Sequence, residues 1–177
     1  MKKVILKAAL ADREEFTDAV EHSGLALGPV FYQHDRVFVP KNYAYGRNFP
    51  KLIIRTEVHS SRKPAQYKLI FKRHIEDSGI DIVEETAVTD YAAAVAIAGQ
   101  LGFVLRHEVA KQRQTVTEGH LTINYDRIEG EPTPYAKLEA PIGDRPAHEV
   151  REELEEVFGG LASGGIIKRM YKEEKEI

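Results

Sequence analysis

Polar and apolar residues alternate along most of this chain, the period of a strand whose two faces meet different surroundings. In Lys51 to His59 one face carries Lys51, Ile53, Arg55, Glu57 and His59, and the other Leu52, Ile54, Thr56 and Val58. Tyr67 to His74 sets Lys68, Ile70, Lys72 and His74 against Tyr67, Leu69, Phe71 and Arg73. Gly119 to Ile128 sets His120, Thr122, Asn124 and Asp126 against Leu121, Ile123, Tyr125 and Arg127. With Val4–Leu10, Val30–Val39, Asp81–Val88, Phe103–Val116 and Tyr135–Ala140, the pattern predicts about eight strands.

Three segments read as helices. Asp12 to His22 opens on a capping box, Asp12 with Glu15 three residues on, and stops at Gly24. Asp90 to Gln100 is alanine-rich, capped by Asp90 and ended at Gly102. Pro146 to Phe158 has proline in its first turn and Gly159-Gly160 after it. Strand mostly follows strand, which predicts an antiparallel α+β fold and not a doubly wound parallel sheet.

The length, 177 residues, fits one domain. Lysine and arginine number 25 against 28 acidic residues, a formal charge of −3, so a globally basic nucleic-acid binder is excluded. With no cysteine, a disulfide framework, an iron–sulfur cluster and a cysteine nucleophile are excluded too. No apolar run approaches the roughly 20 residues of a membrane span. The apolar stretch behind Met1-Lys2-Lys3 ends at Lys7, too soon for a signal peptide, so a soluble cytoplasmic protein is expected.

The polar strand faces gather charge of both signs at regular spacing. They are either solvated outer faces or the lining of a closed barrel turned around a wet lumen. A lumen lined with lysine and arginine is costly unless an anion fills it, which points to phosphate.

An ordered set of short motifs narrows this. Lys3, Ile5 and Lys7 stand on the first strand; Gln33, Asp35 and Phe38 follow the first helix; Leu52-Ile53-Ile54-Arg55 and Phe71-Lys72 come next. Then come Asp81, Val83, Glu85, Val88 and Asp90; Leu101-Gly102-Phe103; Val109, Lys111 and Arg113; Asp126, Ile128 and Gly130; and Tyr135, Lys137 and Glu139. In this order, over about residues 1–140, they resemble the motifs of the CYTH family, the triphosphate tunnel metalloenzymes. That family includes class IV adenylate cyclases, thiamine triphosphatases and inorganic triphosphatases.

The resemblance implies an antiparallel eight-stranded barrel with a charged tunnel. About three helices flank it, in one domain over residues 1–177 whose stretch 141–177 is a C-terminal helix and charged tail. It implies Lys7, Arg55, Lys72, Lys111 and Arg113 as phosphate-holding cations, with Lys7 and Lys72 also as catalytic candidates. Arginine grips phosphate with a planar fork and lysine as a point charge. Glu85, Asp126 and Glu139 are the carboxylates implied for Mg²⁺ or Mn²⁺, hard ions that take oxygen ligands.

The departures are as informative. Lys3 and Ile5 replace both opening glutamates, Val83 replaces another, Lys137 replaces one of the closing pair, and Asp81 replaces an arginine. Two readings follow. One is a divergent metal-dependent triphosphate hydrolase or adenylate-cyclase-like enzyme. The other is a non-catalytic, metal-independent polyphosphate or nucleotide binder, in which Lys3 and Lys137 put ammonium groups where relatives hold metal. The expected partner is a triphosphate-bearing small molecule or inorganic polyphosphate, with no membrane and no nucleic acid.

Weaker signals complete the reading. Seven histidines show no ligand-pair spacing, and His74 and His120 lie on polar faces as possible substrate contacts. Asn42 to Asn48 reads as a loop with exposed aromatics at a tunnel mouth. The run Glu149–Glu156 reads as a solvated helix face. The stretch from Leu161 reads as a flexible, then charged, tail; its Gly164-Gly165 lacks the lysine and setting of a P-loop.

Overall fold

The computed structural model describes residues 1–11, 13–42, 49–75, 80–162 and 167–170, with side chains up to residue 159. The strands are β1 (Lys2–Leu10), β2 (Phe31–Pro40), β3 (Lys51–Val58), β4 (Gln66–Ile75), β5 (Ile80–Val88), β6 (Phe103–Glu118), β7 (Leu121–Ile128), β8 (Tyr135–Pro141) and β9 (Ile167–Met170). The helices are α1 (Arg13–His22), α2 (Tyr91–Gln100) and α3 (Ala147–Ala162). Strands hydrogen-bond in the order β5-β4-β3-β2-β6-β7-β8-β1-β9, and β5 also pairs with β1. Eight strands therefore close as an antiparallel barrel, the α+β class expected from the sequence.

All eight strands and three helices of the sequence reading are present, with ends shifted by a few residues. The expected Asp12 cap and the aromatic loop at residues 43–48 lie outside the described residues. The tail reading needs correction. Leu161 and Ala162 belong to α3, and Ile167–Met170 pairs antiparallel with β1, Ala8 opposite Met170. Four residues behind a Gly-Gly are too short to show a period, so alternation could not reveal this strand.

The chain forms two compact units. The first comprises residues 1–3 and 31–112. Its registers set Asp35 opposite Arg55 and Gln33 opposite Glu57 between β2 and β3, and Arg55 opposite Lys68 between β3 and β4. Between β4 and β5, Ile70 faces Glu85 and His74 faces Asp81. Residues directly across a ladder share a face, so the alternation of each strand assembles one polar and one apolar face.

The apolar face is closed by α2. Phe38, Leu52 and Ile54 are buried against Ala94 and Ala98, with Leu69, Phe71, Val88, Tyr91, Val95 and Phe103 packed around them. The Asp90 side chain caps α2 by accepting from the Ala93 N–H at 2.9 Å. Gly102, at φ +81°, ends it in the left-handed region that glycine enters without strain.

The second unit comprises residues 4–30 and 113–177. Val4, Leu6 and Ala8 of β1, Ile123 and Tyr125 of β7, and Ala136, Leu138 and Ala140 of β8 are buried. Phe16 of α1 stacks on Tyr125 at 6.0 Å between ring centroids. In α3, Val150, Leu154 and Phe158, spaced four apart, are buried, while Glu149, Arg151, Glu152, Glu155 and Glu156 stay exposed as the sequence predicts.

Candidate functional site

The polar face of the first unit is a network of ion pairs. Arg55 on β3 donates from Nε and Nη2 to the two carboxylate oxygens of Asp35 on β2, at 2.7 and 2.8 Å. Lys111 on β6 stands 3.9 Å from the same carboxylate. Lys68 on β4 bridges Glu57 on β3 and Glu85 on β5, each at 3.1 Å. Lys72 lies 3.4 Å from Asp81, and His74 sits 3.3 Å from that same Asp81. Among the described residues of this network, four cations (Arg55, Lys68, Lys72, Lys111) meet four carboxylates (Asp35, Glu57, Asp81, Glu85).

Glu57 is the hub. It is buried, accepts from Gln33 Nε2 at 2.7 Å, and lies 3.9 Å from Arg55 and 3.5 Å from His59. Burial alone would raise its pKa, but Lys68, Gln33 and Arg55 outweigh it and hold the carboxyl below its ordinary range. Lys68 and Arg55 lose by burial and gain more from their carboxylates, so both are held above their ordinary values. Gln33 Oε1 is buried with no hydrogen-bond partner among the described residues.

Linkage gives a testable consequence. The depressed Glu57 contributes stability above its ordinary pKa of about 4.3, lost as pH falls through the lower folded value. The raised Lys68 contributes below its ordinary pKa of about 10.4, lost as pH rises past that. Urea midpoints should therefore decline in acid, and Glu57→Gln should flatten that acid limb while costing about 1–3 kcal/mol near neutrality. Parallel acid limbs in wild type and variant would remove Glu57 from the network.

The polar face of the second unit follows the same rule. The β6–β7 hairpin turns at Gly119, φ +57°, as a tight hairpin turn requires. Along it Thr117 meets Thr122 at 3.3 Å, Thr115 donates to Asn124 at 2.8 Å, and Arg113 grips Asp126 with Nε and Nη2. Both members of that last pair are buried. On β8, Lys137 Nζ donates to Glu139 at 2.6 Å, and Lys7 of β1 lies 4.2 Å over the Tyr135 ring, a cation–π contact.

Arg55, Lys68, Lys72, Lys111, Arg113 and Lys137 thus meet carboxylates of the chain itself. His120 is not on a substrate-facing strand: it lies in the hairpin turn and pairs with Glu153 of α3 at 2.8 Å, a carboxylate also held by Arg145 at 2.7 Å. Sequence reading gave no role to Glu57 and Lys68, although both stood on the polar faces it drew.

The carboxylates implied for Mg²⁺ or Mn²⁺ are each engaged by a cation of their own unit: Glu85 by Lys68, Asp126 by Arg113, Glu139 by Lys137. Among the described residues no group of three His, Asp or Glu is arranged to hold a metal ion. The donor set as arranged does not fit a resident divalent cation: Arg113 takes both oxygens of Asp126, and a lysine holds one oxygen of Glu85 and one of Glu139.

No protein-family model and no curated protein sequence matches the chain. Solved structures do. The chain superposes on a proposed adenylate cyclase from Vibrio parahaemolyticus with a TM-score of 0.76 and 17% identity, covering 97% of this chain and 95% of that one. It is similar to a proposed adenylyl cyclase from Hippeastrum with a dominant triphosphatase activity (TM-score 0.59, 17% identity, 94% and 89% covered). It is also similar to a chain of the Schizosaccharomyces pombe Mediator head module (TM-score 0.66, 14% identity, 97% and 100% covered). The fold is thus the CYTH-like antiparallel barrel, found in proteins with very different tasks. Among the described residues no helix is long and apolar enough to cross a membrane.

Proposed function

We propose that this chain binds condensed phosphate without a divalent metal, through the cations of its polar faces, with its own carboxylates as exchangeable counter-ions. The observation that carries the reading is that Glu85, Asp126 and Glu139 each hold a lysine or arginine. In the first unit the ligand's oxygens would draw on Lys72 and Lys111, which stand at 3.4 and 3.9 Å from their carboxylates. A lysine ammonium on its flexible stem swings from carboxylate to phosphate at small cost. Arg55, locked in a two-pronged contact with Asp35, would keep the face in shape. Lys7 and Arg113 are the candidate contacts of the second unit.

Calorimetric titration of inorganic tripolyphosphate, once in EDTA and once in Mg²⁺, tests this. Binding in EDTA is expected, no weaker than in Mg²⁺, which itself takes up the phosphate oxygens and competes with the lysines; Lys72→Ala should be weaker by about 1.5–3 kcal/mol, the range of a charge-assisted hydrogen bond. Binding that requires Mg²⁺ would instead support the second reading, a metal-dependent triphosphate hydrolase or adenylate-cyclase-like enzyme. That second reading draws on the reported triphosphatase activity of the Hippeastrum protein.

A further inference from the structure

Charge along the polar face of the first unit is unevenly balanced. Around Arg55, three cations (Arg55, Lys68, Lys111) meet three carboxylates (Asp35, Glu57, Glu85) among the described residues. Towards the other end of the same face, β3 begins at Lys51, and the β3–β4 ladder sets that lysine directly opposite Lys72. Like charges directly opposite each other destabilise a ladder. Asp81 meets Lys72 and His74 at this end, and it forms no ion pair with Lys51. Among the described residues Lys51 has no carboxylate partner; its ammonium lies 5.3 Å from the centre of the Phe49 ring.

A third basic group adjoins these two. Partial burial first, and then the charges of Lys51 and Arg106, hold the His107 imidazole of β6 below its ordinary pKa. No carboxylate offsets them. The positive charge left over here brings folding no gain. An anion, in contrast, meets two lysines whose Cβ atoms stand about 5 Å apart across the ladder, within reach of two oxygens of one phosphate group.

We propose that Lys51, Lys72 and His107 form an anion subsite that seats one end of a condensed phosphate. The inference rests on the phosphate-binding reading above and extends it to Lys51 and His107, to which the motif resemblance assigns no role. Lys51 and Lys72 each donate to an oxygen of the terminal phosphoryl group, and the flexible lysine stems let both ammonium groups converge on it. The anion cancels the repulsion between the two lysines, so relief of that repulsion adds to its binding. It also favours the protonated form of His107, which then donates as well.

Calorimetric titration of tripolyphosphate in EDTA tests the proposal. Lys51→Gln should keep the wild-type circular dichroism spectrum, because it removes a repulsion, and should bind about tenfold more weakly. Lys63→Gln removes one positive charge from the exposed connection between β3 and β4, and should bind like the wild type. In proton magnetic resonance, the His107 ring signal is assigned by its loss in His107→Gln. It should titrate at higher pH with tripolyphosphate than without, and at higher pH in ligand-free Lys51→Gln than in ligand-free wild type. A wild type that does not bind in EDTA overturns this inference together with the phosphate reading it rests on. A wild type that binds overturns the subsite alone if Lys51→Gln binds equally well, or if Lys63→Gln is weakened as much as Lys51→Gln. So does a His107 titration that tripolyphosphate leaves unmoved.

Discussion

Arg113→Ala is expected to destabilise the chain by about 3–5 kcal/mol, the cost of leaving a buried charge without its partner. The pair joins Arg113 on β6 to Asp126 on β7, and both side chains are almost completely shielded from water. Removing the guanidinium leaves the buried Asp126 carboxylate without the arginine that grips both its oxygens. Asp126→Ala should cost a similar amount for the mirror reason, leaving the arginine uncompensated. Replacing both together by apolar residues of matched size should cost much less than the two single losses added, because neither charge is then stranded. Urea midpoints of the two single variants and the double variant read this directly. Additive losses would mean that the two side chains act independently.

The second large effect concerns Asp35, which holds Arg55 by two hydrogen bonds and stands near Lys111. Asp35→Asn keeps one acceptor for the arginine but removes the charge that competes with an incoming phosphate. Stability should fall by about 2–3 kcal/mol, within the penalty for weakening a hydrogen bond to a charged group. Tripolyphosphate affinity should rise about tenfold, or roughly 1.4 kcal/mol. A variant that loses stability and also binds tripolyphosphate more weakly would make Asp35 part of the ligand site and not its counter-ion.

Much of this architecture could be read from the sequence because it depends on short-range rules. Period-two alternation located eight strands and separated Leu52 and Ile54 from Arg55 and Glu57; the α2-facing core and the ion-pair face confirm that separation. Asp90 and Gly102 bounded α2 through local backbone chemistry. Which cation meets which carboxylate depends instead on register, and register is set between strands that lie far apart in the chain. Glu57 and Lys68 escaped notice for that reason: each looked like one more charge until β2, β3, β4 and β5 were aligned.

One pairing was within reach. The tight turn at Gly119 fixes the β6–β7 hairpin, and counting outward in steps of two puts Thr117 on Thr122, Thr115 on Asn124 and Arg113 on Asp126. The same count sets the implied phosphate contact, Arg113, beside the implied metal ligand, Asp126, as a pair that neutralises itself. Of the two sign reversals, at positions 3 and 137, the second donates to Glu139 two residues along the same strand face.

The sharpest test of the claim that internal cations occupy these carboxylates is manganese binding by the chain in phosphate-free buffer, followed by electron paramagnetic resonance. The free Mn²⁺ signal should stay undiminished up to about 0.1 mM protein, since carboxylates already paired with lysine or arginine offer a hard cation little. Capture of one Mn²⁺ per chain, reversed by Mg²⁺ and abolished by Glu85→Gln or Glu139→Gln, would contradict it.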